Sequence, residues 1–404
     1  MPEYSNYIHK NLKDYQLVLL KKTDNKFYRS IYNKIDWDIR MIALKGPRGT
    51  GKTTSMLQRL KYHTIKNQNP LYVSMEHPHF YSRGSLFETA QEYYQYGGRY
   101  LFIDEVHKYE NWSRELKVIY DGFPDLKVVF SASSALEIFE GEADLSRRVI
   151  TYNFPGMSFR EYLKMIHHLD FNTCTFEDIL AHHHDISMDI SLNTQILPLF
   201  IRYLREGYLP IIKNVKPETY TLHLIQIINT TLIQDLQLSK KLNAGAINKL
   251  KRLLSVIAES VPFEPNISSI AKKAGITREM VYEFLTYLEQ AKLLNSIRKK
   301  PKGIAALQKP DKIYFENPNL NFALQENPET GTVRETFFLN QLKNAGHNII
   351  LPDLKYDFLV DNKHIIEVGG KNKTVKDKEV FIAADGIETG FANTIPLWLF
   401  GFLY

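Results

Sequence analysis

The chain has 404 residues, 44% hydrophobic and 24% charged, a composition that excludes a disordered chain and predicts two to four folded domains. Its single cysteine, Cys174, excludes an internal disulfide and suits a reducing cytoplasm, and no apolar run is long enough to cross a bilayer. A net charge of +6 tilts it toward polyanionic partners without specifying DNA.

The opening residues lack the apolar core of a signal peptide, and residues 1–35 read as a lead of one or two amphipathic helices. From 36 to 156 short apolar runs alternate with helical stretches. The runs are 39–44, 71–74, 100–103 and 126–130, separated by helical patterns at 53–66, 86–96 and 112–123. Strand and helix in this rhythm predict a parallel sheet covered on both faces, the three-layer α/β arrangement. Residues 157–246 read as helical. Residues 247–315 read as a compact helical block ending in a hairpin, and 325–404 as a small α+β domain whose closing run, Ile395 to Tyr404, is expected to be a buried strand. His182, His183 and His184 lack companion ligands and are expected in a solvated loop.

Gly46-Pro47-Arg48-Gly49-Thr50-Gly51-Lys52-Thr53 fits G-x-x-x-x-G-K-[ST] directly after an apolar run and before a helical one. Glycines let the backbone curl so that several N–H groups face one anion, Lys52 supplies a mobile cation, and Thr53 a hydroxyl for Mg²⁺. The spacing therefore predicts a binding loop for ATP with magnesium, Thr54 included. About fifty residues on, the strand 100–103 ends in Asp104 and Glu105. Asp104 suits the magnesium shell, and Glu105 is placed to orient and deprotonate an attacking water. An adjacent acidic pair favours hydrolysis over transfer to a small molecule. Two further elements stay open between function and plain structure. Ser131 or Ser133, ending the run 128–133, would reach the γ-phosphate or water if that strand lies between the other two. Arg147 and Arg148 would offer a guanidinium to the developing charge, in cis or in a neighbouring subunit, or else form a salt-bridged helix end.

These motifs resemble those of the prokaryotic AAA-type ATPases in which a P-loop domain precedes a helical and winged-helix region and a C-terminal domain of unknown function related to restriction endonucleases. The matching stretches are Gly-Pro-Arg-Gly-Thr-Gly-Lys-Thr-Thr (46–54), Leu-Phe-Ile-Asp-Glu-Val-His-Lys (101–108), Asn-Trp-Ser-Arg-Glu-Leu-Lys (111–117), Ala-Asp-Leu-Ser-Arg-Arg (143–148) and Ser-Phe-Arg-Glu-Tyr-Leu (158–163). Lys-Pro-Asp-Lys-Ile-Tyr (309–314) and Ile-Glu-Val-Gly-Gly-Lys (366–371) continue the match. The resemblance implies an AAA fold and raises Arg148, and after it Arg147, as arginine-finger candidates, with a sensor role for Ser133; whether the chain forms a homo-oligomer stays open. At 131–134 this chain has Ser-Ala-Ser-Ser where the family more often has Thr-Gly-Ser-Ser.

Downstream, 267–282 reads as helix, glycine turn, helix, with Thr277 capping the second helix. Arg278, Arg298, Lys299, Lys300 and Lys302 give the block at 247–315 a charge suited to DNA phosphates, whereas Glu279, Glu283 and Glu289 suit a groove poorly. A protein partner is the alternative. In the last domain, Glu335, Asp357 and Glu367 are candidate nuclease carboxylates. Gly369 stands where a Glu-x-Lys motif needs lysine, so a degenerate domain is expected unless Lys371 swings in. The two competing functions are an ATP-driven enzyme acting near DNA and a slow nucleotide-gated switch working through protein partners, with an ATP-regulated nuclease third.

Overall fold

The structure, a computed structural model, describes residues 2–63, 69–82, 84–135, 145, 147–260, 265–299, 310–353 and 355–404. It divides into two compact units: residues 1–155 together with 234–241, and residues 156–233 together with 242–404.

The first unit is built on five parallel strands, β1 (Met41–Gly46), β2 (Leu71–Ser74), β3 (Tyr100–Asp104), β4 (Lys127–Ser133) and β5 (Ile150–Asn153), in the order β2-β3-β4-β1-β5. This is a parallel sheet with helices on both faces, the expected three-layer α/β arrangement. Alternation along each strand explains the three layers. Met41, Ala43, Leu101, Ile103, Val128 and Phe130 point to one face, under Leu86, Tyr93, Trp112 and Leu116. Ile42, Leu44, Tyr72, Phe102 and Val129 point to the other, under Met56, Leu57, Leu60 and Trp37. Burying each such side chain contributes about 1.5–3 kcal/mol. β5 was absent from the expected runs because it is the half-exposed edge strand, where no continuous apolar run is required. At the other edge, the Gln16 side chain of the helix Pro2–Lys22 accepts the Tyr72 N–H at 2.7 Å.

The second unit begins with the helices Phe159–His167 and Phe176–Leu192, each opened by a capping box, Ser158 with Glu161 and Thr175 with Asp178. The second of these corrects the loop expected at 182–184. The helical segment kinks at His182 (φ −127) and continues through His183 and His184; His183 is buried, and His184 Nδ1 lies 2.8 Å from the Gly390 carbonyl. Helices Ile196–Glu206 and Pro217–Thr230 follow. Then come Ala244–Ala258, Ile267–Ala274 and Arg278–Gln290, with Gly275 at φ +66 ending one helix and Thr277 capping the next. β6 (Leu294–Ile297) and β7 (Lys312–Phe315) pair antiparallel. Arg278 is exposed, but so are Glu279 and Glu283 on the same helix, and Lys300 and Lys302 lie outside the described residues.

Beyond the helix Thr330–Ala345, strands β8 (Ile349–Ile350), β9 (Phe358–Val360), β10 (His364–Gly370), β11 (Phe381–Asp385) and β12 (Thr394–Pro396) form a mixed sheet in the order β12-β11-β10-β9-β8. The closing run is strand only to Pro396. Leu397–Phe402 turns into a buried 3₁₀-helix, placing Trp398 and Phe402 in a core with Phe159. Proline offers no N–H to continue the ladder, and an all-apolar run fits a buried turn of helix as well as a buried strand.

Glu335, Asp357 and Glu367 sit close enough in this domain to interact. Asp357 is pushed up to about 7, first by burial, then by the Glu335 charge. Lys373, and not Lys371, pairs with Glu367; its stem crosses Gly369, where an added Cβ would stand 2.7 Å from Lys373 Cβ. The sign of the Asp357 effect is fixed. The unfolded carboxyl titrates near 4 and the folded one near 7, so the native state holds the extra proton between those values. Stability from this group is full below about pH 4 and is lost as pH rises to about 7. Thermal melts from pH 5 to 9 are expected to show Asp357→Asn gaining on wild type as pH rises through about 7, the difference levelling off about one unit above that. A difference independent of pH would contradict this assignment.

Candidate nucleotide site

All five strands end at the same side of the sheet, and the loop 46–53 leaves β1, near its centre. Gly46 pairs in register with Ser133 of β4. A Cβ at Gly46 would lie 2.2 Å from the Phe154 carbonyl oxygen, so only glycine lets β1 and the chain after β5 close at this point. Gly49 (φ +84) and Gly51 (φ +97) take left-handed conformations that turn the loop inward. Thr50 is fully buried and its hydroxyl donates to the Pro47 carbonyl at 2.9 Å. Arg29 is buried under the loop: one guanidinium nitrogen donates to Thr50 O at 2.5 Å and the other to Pro155 O at 2.9 Å. Thr54 is exposed on the helix that begins at Lys52.

Lys52 is buried and donates to the Gly46 and Pro47 carbonyls at 2.8 and 2.9 Å. Burial lowers its pKa, against the opposing pull of Glu105, Asp104 and Asp235. Thr53 Oγ1 donates to Asp104 Oδ2 at 2.8 Å, and the Tyr72 hydroxyl donates to the same oxygen at 2.7 Å. Ser131 donates to the other Asp104 oxygen and accepts the Glu105 N–H at 2.9 Å. β4 therefore lies between β3 and β1, as the serine role required, and Ser131 is spent on fixing the acidic pair. Asp104 is raised by burial and then by Glu105, and the three hydroxyls oppose that shift. A buried carboxylate beside a hydroxyl and a second carboxylate is a hard-oxygen donor set that a divalent cation would relieve, so these residues fit magnesium. Among the described residues no group of three or more His, Cys, Asp or Glu is arranged to hold a metal. Mg²⁺ characteristically takes only one or two protein carboxylates and completes its shell with phosphate and water.

Glu105 adopts φ +56, a left-handed conformation that costs a non-glycine residue about 1–3 kcal/mol and marks functional turns. Its carboxylate lies 3.6 Å from Arg48 and 3.2 Å from His107 Nε2. Ser133 is also engaged: its hydroxyl donates to Asp235 at 3.1 Å, and the same carboxylate lies 2.9 Å from Arg48 and 3.4 Å from His107. Burial would raise the Asp235 pKa, but His107 and Arg48 outweigh it and hold the carboxyl well below its ordinary range.

Arg148 is not at this site. It makes a two-pronged pair with Asp121, at 2.9 and 3.0 Å, just before β5 begins opposite Ile42. That is the end of the sheet away from the loop. The sequence carried no signal for Arg29, Tyr72 or Asp235: each acts across a long separation and belongs to no contiguous motif.

Residues 38–163 match a family model described as an AAA domain, and residues 197–330 match a domain of unknown function (DUF8612). An uncharacterized protein, MJ1637, of Methanocaldococcus jannaschii is 26% identical over 336 residues, covering 78% of this chain and 70% of that protein. Solved structures that match include a single-substitution variant of RuvB from Thermotoga maritima (14% identity, 73% of this chain and 90% of that one, TM-score 0.25). AMPPCP-bound DnaA of Aquifex aeolicus (15%, 63% and 84%, TM-score 0.25) and PCH-2 of C. elegans (16%, 70% and 68%, TM-score 0.24) match at the same level. Superposition that weak carries no functional weight. What stands is that the first unit is similar to AAA domains over its sheet and loop.

Proposed function

We propose that this chain binds ATP with magnesium and hydrolyses it. The observation that supports the reading most is the joining of the loop to the acidic pair: Thr53 Oγ1 lies 2.8 Å from Asp104 beside the buried Lys52. Thr53 and Asp104 would hold magnesium, which when bound supplies charge neutralisation at the phosphate oxygens. Lys52 turns from the Gly46 and Pro47 carbonyls to the β- and γ-phosphates. Glu105 accepts the proton of the attacking water, its orientation set by the left-handed turn and the Ser131 contact. Since Arg148 lies at the far end of its own sheet, its finger role is proposed in trans, from a second copy of this chain. The slow-switch reading comes second, and it is favoured by the engagement of Glu105 with Arg48 and His107. A DNA or protein partner for residues 247–315 is proposed on charge alone. Titration with a fluorescent ATP analogue in excess magnesium tests the binding step. Saturable binding that ATP competes away supports the reading, and no binding at millimolar concentration, the top of the ordinary KM range, sinks it.

A further inference from the structure

We propose that Asp235 sets the preference of this site between nucleoside triphosphate and diphosphate, by holding Arg48 and Ser133 where a terminal phosphate would otherwise hold them. The inference rests on the nucleotide reading and adds a residue from outside every motif.

Asp235 is 1% exposed, and its segment, 234–241, packs with the sheet of the first unit. Its two oxygens are divided between partners. Oδ1 faces the Arg48 guanidinium at 2.9 Å, His107 Nε2 at 3.4 Å and Lys108 Nζ at 4.0 Å. Oδ2 accepts the Ser133 hydroxyl at 3.1 Å. Other charges acting on this group are Glu105, 3.6 Å from Arg48, Glu76, which also acts on Arg48, and Lys52, on which Asp235 exerts a charge effect. Gln234, next in the chain, accepts from Lys108 Nζ at 2.7 Å and pins the segment at the same edge.

Arg48 belongs to the phosphate loop, Ser133 ends the strand beside it in register with Gly46, and the Asp235 that both donors meet is close enough to act on the loop's lysine. A carboxylate is an anion of phosphate-like hydrogen-bonding character, and here it satisfies both donors at once. An incoming γ-phosphate faces two costs that a diphosphate, ending one group earlier, avoids. It must displace Asp235 from these donors, or it must sit beside a buried negative charge, where repulsion is poorly screened. Either route lowers affinity for the triphosphate selectively. Displacement would also free the segment 234–241, giving the γ-phosphate a mechanical consequence. A purely structural ion pair would behave differently, weakening the fold and both nucleotides alike.

The test compares affinities of intact wild type, Asp235→Asn and Asp235→Glu for ADP and for the β,γ-imido analogue of ATP, with magnesium. Asp235→Asn keeps the shape and removes the charge. Its preference for the triphosphate analogue over ADP is expected to rise about tenfold, the factor for a differential interaction of 1.4 kcal/mol, while Asp235→Glu stays near wild type. Hydrogen exchange of the peptide covering 234–241 in wild type is expected to quicken with the analogue and not with ADP. An unchanged preference in Asp235→Asn, or a loss of triphosphate affinity, overturns the proposal. If wild type binds neither nucleotide, the nucleotide reading itself has failed, a distinct result. Thermal melting of each variant identifies one that does not fold, and the exchange measurement on wild type then decides alone.

Discussion

Glu105→Gln is expected to bind ATP with near wild-type affinity and to release phosphate at least 10²-fold more slowly, the usual worth of a positioned general base. The argument comes from position. Glu105 follows the magnesium-shell candidate Asp104 at the end of β3 and sits in a left-handed turn at φ +56. Its N–H is fixed by Ser131 at 2.9 Å, and its carboxylate is held 3.6 Å from Arg48 and 3.2 Å from His107 Nε2. Glutamine keeps the shape and most hydrogen bonds but cannot take a proton. Single-turnover phosphate release separates this from a binding defect. Equal rates in the two proteins would move the base role elsewhere and leave Glu105 a structural acid for Arg48 and His107.

Lys52→Ala is expected to cost about 10- to 100-fold in ATP affinity, the worth of one charged hydrogen bond of about 1.5–3 kcal/mol. Lys52 is 5% exposed and donates to two loop carbonyls, Gly46 O at 2.8 Å and Pro47 O at 2.9 Å. Its loss therefore acts twice, removing the cation meant for the phosphates and leaving two carbonyls without their donor. The fold survives because the loop is held independently by Arg29 on Thr50 O and by Thr50 on Pro47 O. Isothermal titration of both proteins with Mg-ATP, beside thermal melts, measures the two effects separately. Affinity unchanged by the substitution would mean that the phosphates bind somewhere else.

The sheet was legible because its central strands are buried on both faces and so read as unbroken apolar runs, while β5, half exposed, left no such run. The loop and the acidic pair were legible because phosphate chemistry demands those residue types close together in the chain. What the sequence could not carry were contacts made across it. Arg48 and Asp235 are 187 residues apart, and Arg29 reaches Pro155 across 126. Arg148 shows the converse. Its neighbourhood in the sequence suggested a finger, but parallel register places it at the opposite end of the strand from the phosphates. In the last domain, contiguous reading looked two residues past Glu367 for a lysine, whereas Lys373 reaches Glu367 from a turn six residues on. A side chain can arrive by folding where a motif expects it by position. The histidines at 182–184 stand at a kink at His182 in a helical segment whose start is signalled upstream, by Thr175 and Asp178.

The most direct measurement is phosphate release from ATP by the intact wild-type chain, with magnesium and again with the metal chelated. The account predicts steady release that saturates with ATP, stops on chelation and returns when magnesium is restored. Tight ATP binding with no release under either condition would contradict hydrolysis and leave the slow switch. Release indifferent to chelation would contradict the roles given to Thr53 and Asp104.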